Sequence, residues 1–221
     1  MRRWARVRAL LLVNLGLFAL FLIGVLLTGH AHENEELADH GQAAQSLVQY
    51  AGSSSFGETV FENWESEFLQ MGMYVLLTTF LIQKGSAESR PIDEASPQDE
   101  DPREHRDDPQ APWPVRHGSE LVLRLYENSL AIAFGIVFLL SFWLHAVTGA
   151  GAYSEDQQLH GGTAVSAWQY VGTSQFWFES FQNWQSEFLA VAAIVGGSIY
   201  LRQRKSSQSK PVHAPNSQTG E

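Results

Sequence analysis

At 221 residues the chain has room for one soluble domain or a small helical bundle. It contains no cysteine, which excludes disulfides, thiolate metal sites and cysteine nucleophiles. The formal net charge of -10 collects in a central linker and in two acidic loops, and gives no ground for a nucleic-acid partner.

The slightly negative mean hydropathy hides a segregation of apolar residues into four blocks, Leu10–Thr28, Phe68–Ile82, Leu130–Val147 and Phe188–Leu201. The first and third are long enough to cross a bilayer core of about 30 Å as helices. The N-terminal stretch MRRWARVR would also serve as the basic region of a cleavable signal peptide. Its apolar run is longer than usual for one, however, and Thr28-Gly29-His30-Ala31-His32 is a poor cleavage site. An uncleaved anchor is expected.

Read in order, the first repeat covers 1–84, with a membrane helix near 9–29, an external loop over 30–60 and a returning helix near 61–83. Residues 85–117 form a linker rich in Pro, Asp, Glu, Ser and Arg, which lacks the apolar side chains needed to fold alone. The second repeat covers 118–205, with a helix near 121–147, an external loop over 148–180 and a helix near 181–202. The tail, 206–221, resembles the linker in composition, and both are expected to be disordered and cytoplasmic.

The fourteen basic residues fix the orientation. Arg2, Arg3, Arg6 and Arg8 precede the first helix. Lys84, Arg90, Arg103, Arg106, Arg116 and Arg124 lie between the second and third, and Arg202, Arg204, Lys205 and Lys210 follow the fourth. Stretches 29–67 and 148–187 have none. With four crossings, both termini and the linker are then cytoplasmic.

An offset of 120 residues superimposes VQYAGSSSFGETVFENWESEFL (48–69) on WQYVGTSQFWFESFQNWQSEFL (168–189), with twelve of twenty-two positions identical. Composition alone would give about one or two. Glu35 also meets Glu155, and His40-Gly41 meets His160-Gly161. With a short gap, Asn14 and His30 pair with Asn128 and His145. The expected fold is all-α and integral to the membrane: four transmembrane helices as two tandem two-helix repeats of the same orientation, with external interfacial segments.

The NWxSEFL motif before each even helix, HG in each external loop and SAESRP after the second helix resemble an uncharacterised family of bacterial membrane proteins, a domain of unknown function. The resemblance implies a polytopic protein of the bacterial inner membrane. It carries over no catalytic residue.

Counting about 20 residues back from the end of each even helix places Glu67 and Glu187 inside the membrane, with Asn63 and Asn183 one turn above them. An ionisable group in a spanning helix is costly and is a functional candidate by default. His30 and His145 at the ends of the outgoing helices, with His40 and His160 in the loops, could complete a proton or cation site. The competing reading is structural: a glutamate near a helix N-terminus complements the macrodipole, and Trp64, Trp184, Tyr50 and Tyr170 form an interfacial aromatic belt. His30, His32 and Glu33 offer only a weak metal pattern, and haem lacks suitably facing histidines. No catalytic motif is present, and no cofactor, resident metal or small-molecule ligand is expected. The lipid bilayer is the expected partner, with self-association open.

Overall fold

The computed structural model describes Trp4, residues 6–92 and residues 96–220. Arg2 and Arg3 of the first basic group, and residues 93–95 of the linker, lie outside the described residues. Every regular element among the described residues is helical, with no strand.

Helix α1 is Ala9–Asp39, followed by the short α2, Leu47–Ala51, and by α3, Ser54–Phe80. Two single-turn 3-10 helices, Pro97–Asp99 and Pro102–His105, precede α4, Trp113–His117, and α5, Glu120–Glu127. Then come α6, Ser129–Leu159, α7, Ala167–Val171, and α8, Ser174–Tyr200. The lengths recur: α1 and α6 have 31 residues, α2 and α7 have 5, and α3 and α8 have 27. Each pair is displaced by the same 120 positions (129 against 9, 167 against 47, 174 against 54). No gap separates α1 from α6, so the pairing of Asn14 with Asn128 and of His30 with His145 does not hold. The residues opposite His30 and His145 are Ala150 and Val25.

The helices differ from expectation at their ends. α1 runs ten residues past 29, because Ala31, Glu33, Glu35, Glu36, Leu37 and Ala38 are helix formers and nothing breaks the helix before Gly41. There the chain closes in a Schellman turn. Gly41 takes a φ of 68° while its N–H donates to the Ala38 carbonyl, and Gln42 N–H donates to the Leu37 carbonyl. Gly161, with a φ of 79°, ends α6 in the same way. α3 and α8 begin seven residues before the expected 61 and 181. Hydroxyls start them, as Ser53 accepts from Phe56 N–H and Thr173 accepts from Phe176 N–H. The expected helix near 121–147 is broken at Asn128 into amphipathic α5 and apolar α6.

Among the described residues two helices, α1 and α6, are long and apolar enough to cross a membrane, against the four expected. α3 falls short because Glu58, Glu62, Asn63, Glu65, Glu67 and Gln70 interrupt its apolar residues.

The chain divides into two compact units, Met1–Glu62 with Trp143–Trp177, and Asn63–Phe142 with Phe178–Glu221. In the first, Tyr50, Tyr170, Phe176, Ala146 and Ala150 are the buried apolar residues. Its two loops are pinned at corresponding positions. The Asn34 side chain clasps the Gln45 backbone, accepting its N–H at 2.7 Å, and Ser154 Oγ accepts from Val165 N–H at 2.9 Å.

In the second unit Leu123 and Val115 are buried, and the linker and tail are more structured than their composition suggests. Ser86 and Ser198 hydroxyls pair at 2.9 Å, and Gly85 N–H donates to Thr219. Lys210, 1% exposed, donates to the carbonyls of Gly85, Asn216 and Gln218.

Candidate functional site

The shared Gln-Tyr-x-Gly-x-Ser-x-Phe motif builds a corner in each half. Ser46 and Gln49, and likewise Ser166 and Gln169, form reciprocal capping boxes that start α2 and α7. Gly52 and Gly172 end those helices. One turn of helix then directs the tyrosine inward, onto a glycine of the long apolar helix. A Cβ on Gly29 would sit 2.1 Å from the Tyr50 hydroxyl, and one on Gly149 would sit 2.3 Å from the Tyr170 ring. Each tyrosine also packs on the motif phenylalanine, Tyr50 on Phe56 at 5.6 Å and Tyr170 on Phe176 at 5.5 Å. Tyr50 and Tyr170 are therefore core residues, 3% and 0% exposed, rather than members of an interfacial belt. They lie inside because glycine leaves a ring-sized notch.

The second corner of the first unit carries polar chemistry. Tyr170 Oη donates to Glu58 Oε1 at 2.9 Å. Glu58 and His145 bring their ligand atoms within 4.8 Å of one another. His145 is wholly buried, with its ring stacked on Phe176 at 4.7 Å and edge-on to Tyr170 at 6.3 Å. The helices approach closely here because the contact residues are small. A Cβ on Gly57 would meet Thr148 at 2.6 Å, one on Gly151 would meet Ser54 at 2.1 Å, and one on Gly149 would meet Glu58 Oε1 at 2.8 Å. Glu58 was missed in the sequence because it falls where the halves differ: the position 120 further on is Phe178. Its only signal was a carboxylate opposite an aromatic ring in otherwise matching helices.

The other sequence candidates divide between the units. His30 stands beside Tyr50, with ring centroids 5.9 Å apart, and its Nε2 lies 2.8 Å from the Gln45 carbonyl and 2.9 Å from Asn34 Nδ2. It serves the loop anchor. His40 and His160 meet edge to face at 5.8 Å, and each Nδ1 bonds the carbonyl four residues back, Glu36 or Asp156. His30, His145, His40 and His160 thus belong to the first unit, and Glu67, Glu187, Asn63 and Asn183 to the second.

In the second unit Glu67 is exposed and Glu187 half-buried, with their charges close enough to interact. The buried glutamate of this motif is Glu65, 0% exposed, whose Oε1 accepts from Trp184 Nε1 at 3.0 Å. Trp184 is thereby an internal donor, while Trp64 is half-buried with its ring edge-on to Phe68. Asn183 donates to the Glu179 carbonyl of its own helix at 3.2 Å rather than to Glu187.

Outside the apolar stretches of α1 and α6, burial pushes the Tyr50 phenol above its ordinary range and the Glu33 carboxylate adds to the shift. Burial likewise raises the Glu155 carboxyl, with Glu33 again repelling its charged form. Hydrogen bonds from Arg103 of the linker and from Arg124 of α5 hold Glu120 below the usual carboxylate range. Burial, then the Arg202 guanidinium, push the Lys210 ammonium down.

A family described as a domain of unknown function, DUF6766, matches residues 1–221. No curated protein and no solved structure matches the chain. Because the family match takes in every residue, the chain belongs to the DUF6766 family.

Proposed function

We propose that the chain is a polytopic protein of the bacterial inner membrane with four crossings and both termini in the cytoplasm, acting as a structural or interaction protein rather than an enzyme. The carrying observation is α1. It is apolar along most of its length yet has no buried residue, with Leu10 80%, Phe21 65% and Leu20 60% exposed. So much uncovered hydrocarbon is untenable in water and ordinary in lipid. α6 has the same character at Ile136, Leu139 and Leu140. α3 and α8 supply the returning crossings, their polar first turns lying toward the external side.

The absence of cysteine makes the test clean. Single cysteines at Gln98 and Gln158 are labelled in intact cells with a membrane-impermeant maleimide. The expected result is labelling at 158 and none at 98 until the cells are opened. Labelling at 98 in intact cells overturns the topology.

A second reading, proton or cation coupling, is favoured by one observation: Glu67 and Glu187 occupy the same motif position in the two halves and their charges interact. In reconstituted vesicles it requires a cation-dependent proton flux that Glu67→Gln and Glu187→Gln both abolish. Equal flux in wild type and variants would remove it.

A further inference from the structure

We infer that Glu58 and His145 form a binding site for one divalent first-row transition ion, with Tyr170 as the residue that orients the carboxylate. The site is separate from the Glu67 and Glu187 pair and does not depend on the number of membrane crossings.

A carboxylate oxygen and a neutral imidazole nitrogen together suit Zn²⁺, Mn²⁺ or Fe²⁺. Calcium and magnesium would ask for oxygens alone, and soft Cu⁺ for sulfur. Bond lengths of about 2.0–2.2 Å set the nitrogen and oxygen ligands of one ion roughly 3–4 Å apart. Those of Glu58 and His145 lie within 4.8 Å of one another, and rotation of Glu58 about its soft terminal torsion closes the difference.

What separates this cluster from a chance acid–histidine encounter is the support around it. His145 is 0% exposed, and Phe176 stacked at 4.7 Å fixes the plane of its ring. Tyr170, also 0% exposed, donates to Oε1 of Glu58 and so orients the carboxylate. Ligating carboxylates are characteristically held by such an outer hydrogen bond. Gly149 has no Cβ to keep Glu58 Oε1 away. The corresponding positions of the other half are Phe178 and Val25. Its tyrosine and glycine are present, so the corner itself does not require the Glu58 and His145 pair.

The test is metal titration of the full chain in detergent after chelator treatment, using Mn²⁺ followed by the loss of its free paramagnetic signal and Co²⁺ followed by its visible spectrum. One saturable equivalent is expected. Glu58→Gln and His145→Phe should weaken it at least tenfold, and Tyr170→Phe by about 10–100-fold, as outer-shell changes do. His32→Asn, which alters the exposed His32–Glu36 pair, should leave it unchanged. A Co²⁺ spectrum of the wild type showing a nitrogen ligand supports the site even where His145→Phe fails to fold. The inference is overturned if the wild type binds neither ion, if Glu58→Gln binds as tightly, or if His32→Asn alone abolishes binding.

Discussion

Gly149 and Tyr170 are matched to one another, for a methyl group on Gly149 would lie 2.3 Å from the ring of Tyr170. The same relation holds between Gly29 and Tyr50, 120 residues earlier. Gly149→Ala should therefore destabilise the fold by about 1–3 kcal/mol through overpacking, read as a lower midpoint of thermal unfolding in detergent. Gly24→Ala is the control, since nothing lies within 4 Å of its Cβ. Equal effects at the two positions would contradict the notch.

The bond from Tyr170 to Glu58 should be measurable in a double-mutant cycle. Tyr170→Phe leaves a half-buried carboxylate short of a donor, at a cost of about 1–3 kcal/mol. Glu58→Gln in the same background should then cost less than it does alone. Additive losses would mean that the bond contributes nothing to stability.

Helix ends give a second check on the corners. Gly161→Ala forces a side chain into a φ of 79°, which costs about 1–2 kcal/mol. Ser166→Ala removes the capping box of α7, a loss of about 1 kcal/mol. Unfolding midpoints of the two variants should fall by comparable amounts.

The Glu155 and Glu33 pair predicts a pH dependence. The Glu155 carboxyl titrates above its ordinary 4.5 because of burial and Glu33. Its contribution is thus fully present below 4.5 and is lost as pH rises through the raised value. Glu155→Gln should be the more stable protein at pH 7 and lose that advantage at pH 4. An advantage that grew on acidification would reverse the assignment.

Much of the architecture is legible in the residues. The aromatic motif, the HG pairs and the 120-residue offset each correspond to a cap, a Schellman turn or a recurring helix length. Where the reading failed, the reason is physical. Helix ends follow bilayer thickness in the sequence reading, yet hydrogen bonding carries α1 on to Asp39, well beyond its apolar stretch. Tyr50 and Tyr170 looked interfacial because sequence shows aromatic character but not the glycine waiting opposite. Glu67 drew attention by recurring, while the buried Glu65 two residues earlier points elsewhere on the helix. Glu58 escaped because a search for identity between halves passes over the positions where they part. The linker and tail looked solvated because their cohesion rests on backbone carbonyls around Lys210, which composition does not reveal.

The Glu58–His145–Tyr170 cluster draws on both halves of the chain. The carboxylate comes from the first half, and the imidazole and phenol come from the second. Two copies of the first half would own the acid with valine in place of its imidazole. Two copies of the second would own the imidazole with phenylalanine in place of its acid. Neither half can be replaced by a duplicate of the other without dismantling the cluster, so the two halves are complementary at this site and not interchangeable.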